Sequence, residues 1–157
     1  MRVIRLNRSG DINITRVLDN EQIKALWGDP LLRHSNILDG LFHEQVIVCE
    51  SDSDCRFYSA MTHVHFKSLG ESARAPDIMF VHGGGKDRVP VVLKALHQVA
   101  VPVKVVLDFD ALREKHLLQS LLGVLGQNWD AYRSIWVTVE KAISGKKPEL
   151  SVSFWEG

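Results

Sequence analysis

Two aspartates separated by one residue, Asp108 and Asp110, close an apolar run, Val103-Lys104-Val105-Val106-Leu107. Carboxylates held this close repel one another unless a cation lies between them. Hard divalent ions such as Mg²⁺ take oxygen ligands of this kind. The run itself has the length and β-branched content of a buried strand. Ligands of open α/β sheets bind beyond the carboxyl ends of the strands, which is where this pair falls. Side chains at i and i+2 of an extended segment point the same way, so both carboxylates are expected to face one site. The competing interpretation is an Asp-rich turn that caps the following helix.

Two other strand ends carry polar groups. Gln45-Val46-Ile47-Val48-Cys49 ends in Glu50, and Ser51-Asp52-Ser53-Asp54 follows, with Asp54 on the opening turn of an expected helix. Asp77-Ile78-Met79-Phe80-Val81-His82 ends in Gly83-Gly84-Gly85-Lys86. A glycine run before a helix is expected to offer backbone N–H groups to a phosphate. Lys86 would add a point charge for phosphoryl oxygens. In a parallel sheet the three ends lie on one edge and can converge. Clustered carboxylates suit Mg²⁺ or Mn²⁺, ions that activate water and stabilise the leaving oxygen in phosphodiester cleavage.

Each feature also has a plainer explanation. Glu50 could be a surface residue after a strand, Asp52 and Asp54 helix-dipole acids, the glycines a loop and Lys86 a solvated charge. His63 and His65 alternate without a third ligand at metal spacing, so no zinc site is expected. Neither Cys49 nor Cys55 has a nucleophile's context.

The elements that must position these groups follow from periodicity. Residues 2–7 and 12–15 alternate apolar and polar around Ser9-Gly10-Asp11, which predicts a hairpin. A short helix is expected over Glu21–Trp27, and residues 31–42 carry a helix-like apolar stripe. Phe57, Ala60, Met61 and Val64 predict a helix after the first strand, and residues 67–76 read as a loop. Val89, Val92, Leu93, Leu96 and Val99 form a second stripe, with Asp87 as expected N-cap and Pro90 in the first turn. Leu112 to Leu125 predicts a third helix and Asn128 caps a fourth, which carries Trp129, Tyr132, Ile135, Trp136 and Val139. A basic turn, Gly145-Lys146-Lys147-Pro148, precedes a final short strand at 150–155. Strands alternating with helices imply an α/β fold with right-handed crossovers. The expected core is a parallel sheet of about four strands flanked by helices.

A chain of 157 residues, 45% hydrophobic and 24% charged, can build one domain with a short appendage. The expected division is a lead-in at 1–44 and a domain at 45–157. Lys+Arg and Asp+Glu both number 19, so composition gives no broad nucleic-acid footprint, although a metal nuclease needs a locally acidic site. No apolar run is long enough to span a membrane, and the start is too charged for a secretory signal. With two cysteines and no disulfide framework, a reduced, cytoplasmic protein is expected.

The pattern resembles the TOPRIM domain of topoisomerases, primases and OLD-family nucleases. Val46-Ile47-Val48-Cys49-Glu50-Ser51-Asp52-Ser53-Asp54 with Phe57-Tyr58 looks like that family's glutamate motif. Val105-Val106-Leu107-Asp108-Phe109-Asp110 looks like its D-x-D motif. The spacing and the intervening Gly-Gly-Gly-Lys are closest to OLD-type ATP-dependent endonucleases, in which TOPRIM follows an ABC-type ATPase. Residues 33–42 resemble the segment joining the two. The resemblance covers roughly residues 30–112. It implies a DNA endonuclease in which Glu50, Asp108 and Asp110 coordinate Mg²⁺ or Mn²⁺ in a two-metal site, with Asp54 assisting. Lys86 would stand near the scissile phosphate. The ATPase would be an upstream domain or a separate polypeptide, and a homodimer is among the expectations; no membrane is.

Three departures stand out. Ser51 follows the glutamate where the family usually has Gly, and Leu112 removes the longer D-x-D-x-D form. No G-x-x-x-x-G-K-[ST] occurs, since Asp87 follows Lys86. Glu114 and Glu140 are candidates for further acidic groups. Two other functions stay open: a catalytically incomplete docking or dimerisation module, and a HAD-like phosphatase with Asp108 as nucleophile.

Overall fold

The computed structural model describes residues 3–9, 11–21, 24, 28, 36–70 and 77–145. The alternating residues at the start form an antiparallel hairpin, β1 (Val3–Ser9) with β2 (Ile12–Leu18). Ile4 pairs with Val17 and Leu6 with Thr15. Opposed residues share a face, and here that face leaves Ile4, Leu6 and Val17 exposed. Arg5, on the opposite face, is buried. Its guanidinium donates to the carbonyl oxygens of Ala100 at 2.9 Å and His43 at 2.6 Å, which ties the hairpin to the body.

The three apolar runs become β3 (Gln45–Cys49), β4 (Ile78–His82) and β5 (Val103–Val106), all parallel in the order β4-β3-β5. A central parallel strand is covered on both faces, and Val46, Val48 and Cys49 of β3 are accordingly fully buried. The register sets Cys49 opposite both His82 and Val106. The three carboxyl ends therefore share one edge. A fourth strand, expected at 150–155, lies outside the described residues, as do most of the expected helix at 21–27 and the basic turn after Gly145.

Among the described residues, helices flanking the sheet are α1 (Asp52–Ser68), α2 (Val89–Gln98), α3 (Lys115–Val124) and α4 (Trp129–Gly145). The stripe of α2 behaves as its spacing predicts. Val89, Val92, Leu93 and Leu96 join Ile37, Val46, Val48 and Val81 in the core. Within the 31–42 stretch, Asn36–Phe42 forms a 3-10 helix pressed on β3. A Cβ on Gly40 would stand 2.7 Å from Cγ2 of Val46, so only glycine allows this approach.

The α1 stripe is a correction. Phe57, Met61 and Val64 are exposed, while Cys55 is buried and Tyr58, Thr62 and Phe66 are half-buried. The helix is fixed at its start, where Ser51 caps it and Cys55 packs inward, and that rotation turns the stripe outward. Asp87 is not the N-cap of α2 either. It lies within a 3-10 turn, Lys86–Arg88, and Arg88 takes the cap position without a side-chain bond. The expected third helix is broken at Glu114 into a 3-10 turn, Phe109–Arg113, and α3. Asn128 does cap α4, its side-chain oxygen accepting from the Asp130 N–H at 3.0 Å. The Trp136 indole N–H donates to the Leu112 carbonyl at 2.8 Å, which moors α4 to the turn after β5. Among the described residues, no helix is long and apolar enough to cross a membrane.

Candidate metal centre

The shared edge brings three carboxylates together. One oxygen from each of Glu50, Asp108 and Asp110 lies within 4.8 Å of the others. Glu50 directly follows β3 and Asp108 follows β5, and those strands are neighbours, so convergence is a consequence of parallel pairing. The two aspartates meet differently from the i, i+2 expectation. β5 ends at Val106, Asp108 is extended (φ −67°, ψ 158°), and Asp110 lies in the 3-10 turn. The turn, not strand alternation, gathers them. Asp108 stands at the cap position of that turn, yet its side chain makes no capping bond. Among the described residues, the helix-cap explanation for Asp108 therefore fails.

Glu50 supplies the most telling atom. Its Oε2 is buried and has no hydrogen-bond partner among the described residues. Burial raises the Glu50 pKa above the ordinary carboxylate value, and the charges of Asp108 and Asp110 raise it further. An orphaned buried carboxylate oxygen is costly unless a cation or donor meets it. An octahedral Mg²⁺ with bonds of about 2.0–2.1 Å keeps its ligand oxygens roughly 3–4 Å apart. The spread of this donor set is close to that range, and both aspartates are exposed and able to adjust. The residues fit a hard divalent cation.

Lys86 joins the cluster from the β4 end. Its ammonium donates to Asp110 Oδ2 at 2.9 Å and pairs with Glu114. The bonds to Glu114 and then Asp110 raise the Lys86 pKa, and the same contact with Lys86 holds Asp110 below the usual carboxylate range. Glu114, one of the two downstream acidic candidates, thus pairs with Lys86 and is not one of the three clustered carboxylates. Glu140 is elsewhere, accepting from the Ser144 hydroxyl at 2.8 Å.

Two expected ligand roles change. Asp54 is not in the carboxylate cluster. Its Oδ2 accepts from the Ser51 N–H at 2.9 Å and the Ser51 hydroxyl at 2.7 Å, while its own N–H donates to Ser51 Oγ at 3.3 Å. This reciprocal capping box starts α1. It also accounts for serine after the glutamate: Ser51 is extended (φ −126°), a conformation any residue adopts, and its side chain is used.

The glycine run is likewise not an open row of donors. The Gly83 N–H donates to Cys49 O at 3.2 Å and the Gly85 N–H to Glu50 O at 3.1 Å. These two groups are consumed in lashing the β4 loop to the end of β3, which fixes the backbone of Glu50. Glycine is required for the shape of the loop: φ is +76° at Gly84 and +117° at Gly85. Of the remaining candidates, Cys49 and Cys55 are both buried. Burial and the neighbouring Cys55 push the Cys49 thiol up to about 12, so it stays protonated and is no nucleophile. His63 and His65 are exposed on α1, and neither belongs to the carboxylate cluster.

Residues 41–110 match the family model described as "Overcoming lysogenization defect protein-like, TOPRIM domain". This stretch is an OLD-like TOPRIM domain. No curated protein and no solved structure matches the chain. The TOPRIM match takes in β3, α1, β4, α2 and β5, and it ends at Asp110, the last carboxylate of the cluster. TOPRIM domains bind divalent metal, in keeping with the donor set described above. Glu114, α3 and α4 lie beyond the matched stretch.

Proposed function

We propose that the chain is the nuclease module of an OLD-like ATP-dependent endonuclease that hydrolyses DNA phosphodiester bonds. In this assignment Glu50, Asp108 and Asp110 hold Mg²⁺ or Mn²⁺, in a two-metal arrangement. The observation that carries it is the converged carboxylate triad with an unpartnered, buried Glu50 oxygen. The bound ions would supply positive charge at the phosphate and lower the pKa of a coordinated water. The chain's own residues do the rest. Lys86 keeps Asp110 ionised and places an ammonium beside the carboxylates, suited to a non-bridging phosphate oxygen. With Gly83 and Gly85 engaged at β3, the phosphate seat is assigned to Lys86 and the Gly84 N–H. Asp54 serves by capping α1 and so steadying the residue after Glu50.

No phosphate-binding loop of the G-x-x-x-x-G-K-[ST] kind is present in the sequence. ATP hydrolysis is therefore assigned to an ABC-type ATPase, upstream or separate, with residues 1–44 as the junction to the domain at 45–157. The same assignment places the protein in the cytoplasm and allows a homodimer. The exposed stripe of Phe57, Met61 and Val64 favours a second reading, a docking module whose catalytic site is idle.

The test is nicking of supercoiled plasmid in Mn²⁺ by wild type and Asp108→Ala. Charge stabilisation by metal is worth several kcal/mol, at 1.36 kcal/mol per decade, so the variant is expected to lose about 100-fold or more. Full activity in the variant would overturn the assignment. An inactive wild type that nonetheless assembles with a partner would favour the docking module.

A further inference from the structure

The seam between α2 and α3 holds two adjoining depressions of about 550 and 560 Å³. They share Pro90, Val91 and Ser120, so they form one trough. One end of it is lined by Asp87 and Glu114. Glu114 pairs with Lys86, and Lys86 is bonded to Asp110, so the trough opens beside the carboxylate cluster. Its walls carry basic side chains. Lys94 comes from α2, Arg113 from the end of the 3-10 turn and Lys115 from the start of α3, with His97 and His116 beside them. Three fixed cations thus face two acids, one of which is already paired with Lys86.

In a chain with 19 basic and 19 acidic residues, this local excess is sorted by the fold and is not inherited from composition. Val91, Leu117 and Val124 give the trough an apolar floor. We infer that this trough is the path along which a DNA backbone runs to the carboxylate site. The inference rests on the nuclease assignment above and extends it to named contacts.

The chemistry matches on each count. A DNA strand offers a row of anionic phosphates with apolar sugar faces between them. Cationic walls over an apolar floor complement both. α2 and α3 each contain 10 residues, about 15 Å of helix at 1.5 Å per residue. At roughly 3.4 Å of axis per phosphate on one strand, that length accommodates about four phosphates. An acidic peptide would find the same charges, but nothing would require its track to end at a phosphodiester-cleaving centre. Arg113 is partly engaged, donating to the Ile143 carbonyl at 3.3 Å, and its fork retains further donors for an anion.

The experiment is fluorescence anisotropy of a labelled DNA duplex, without divalent metal, over roughly 50–200 mM salt. It compares wild type, Lys94→Gln/Lys115→Gln, and a control pair on other helices, Lys67→Gln/Lys141→Gln. Each lost phosphate contact lowers the slope of log K against log salt by about 0.9. The trough variant should therefore lose up to about 1.8 in slope and between one and two decades in affinity near 0.1 M salt. The control pair should match wild type. Circular dichroism establishes that all three are folded alike. Wild-type slope and affinity in the folded trough variant, or equal weakening in the control pair, would overturn the trough and leave the nuclease assignment standing. A folded wild type that neither binds nor nicks DNA would overturn both.

Discussion

Glu50→Gln is expected to make the metal-free protein more stable while abolishing its response to divalent ions. The substitution keeps the shape of the side chain, removes one of three clustered charges and adds an N–H₂ donor that Asp108 or Asp110 can accept. Leaving a buried acceptor unsatisfied costs about 1–3 kcal/mol. Glu50 is only half-buried as a residue, so about 1–2 kcal/mol is the relevant part of that range. For a chain of 157 residues each kcal/mol moves Tm by roughly 2–4 °C, which gives a rise of about 2–8 °C in EDTA. Wild type should instead gain about 2.7 kcal/mol, or roughly 5–11 °C, when Mg²⁺ or Mn²⁺ reaches about 100 times its Kd. The variant should gain little.

The pH dependence has a definite sign. The folded-state pKa of Glu50 is raised above its ordinary 4.5, so the folded chain holds the proton more tightly than the unfolded one. The stabilising effect of that proton is fully present below about 4.5 and is lost as pH rises through the raised value. The Tm gap between variant and wild type should therefore be small in acid and widen toward neutrality. Differential scanning fluorimetry across pH, with EDTA or with metal, reads both effects. An unchanged or lower Tm for Glu50→Gln in EDTA would show that the Glu50 oxygen is satisfied in solution, and the argument for a cation at that atom would fall.

Two further substitutions test the scaffold around the site. Ser51→Ala removes the capping box and frees the Asp54 carboxylate, with an expected loss of about 0.5–2 kcal/mol in chemical denaturation; an unchanged midpoint would mean that the cap does not hold α1. Gly40→Ala drives a methyl to 2.7 Å from Val46 Cγ2 and 3.2 Å from Leu96 Cδ2, both in the core. It should cost about 1–3 kcal/mol by overpacking, and a melt equal to wild type would show that the Asn36–Phe42 turn is not pressed on β3 in solution.

The three described parallel strands and the candidate carboxylates were legible in local pattern. Runs such as Val46-Ile47-Val48-Cys49 and Val103-Lys104-Val105-Val106 are short, apolar and β-branched, and carboxylates sit at or just beyond their ends. Parallel pairing then sends those ends to one edge whatever the detail of the loops, which is why Glu50 and Asp108 could be associated from spacing alone. The resemblance to TOPRIM rested on the same residues. What the sequence could not carry was the fate of groups whose partners are distant in the chain.

Asp54 looks like a ligand until Ser51 claims its oxygen, and the Gly83 and Gly85 N–H groups look free until the Cys49 and Glu50 carbonyls accept them. The exposed stripe of α1 shows the same limit, since periodicity fixes that a helix has an apolar face but not which way packing turns it. Lys86 with Glu114, and the cations that line the seam of α2 and α3, acquire meaning only when the two helices lie side by side. Local pattern decides which residues can do chemistry; tertiary contacts decide which of them are left unpaired to do it.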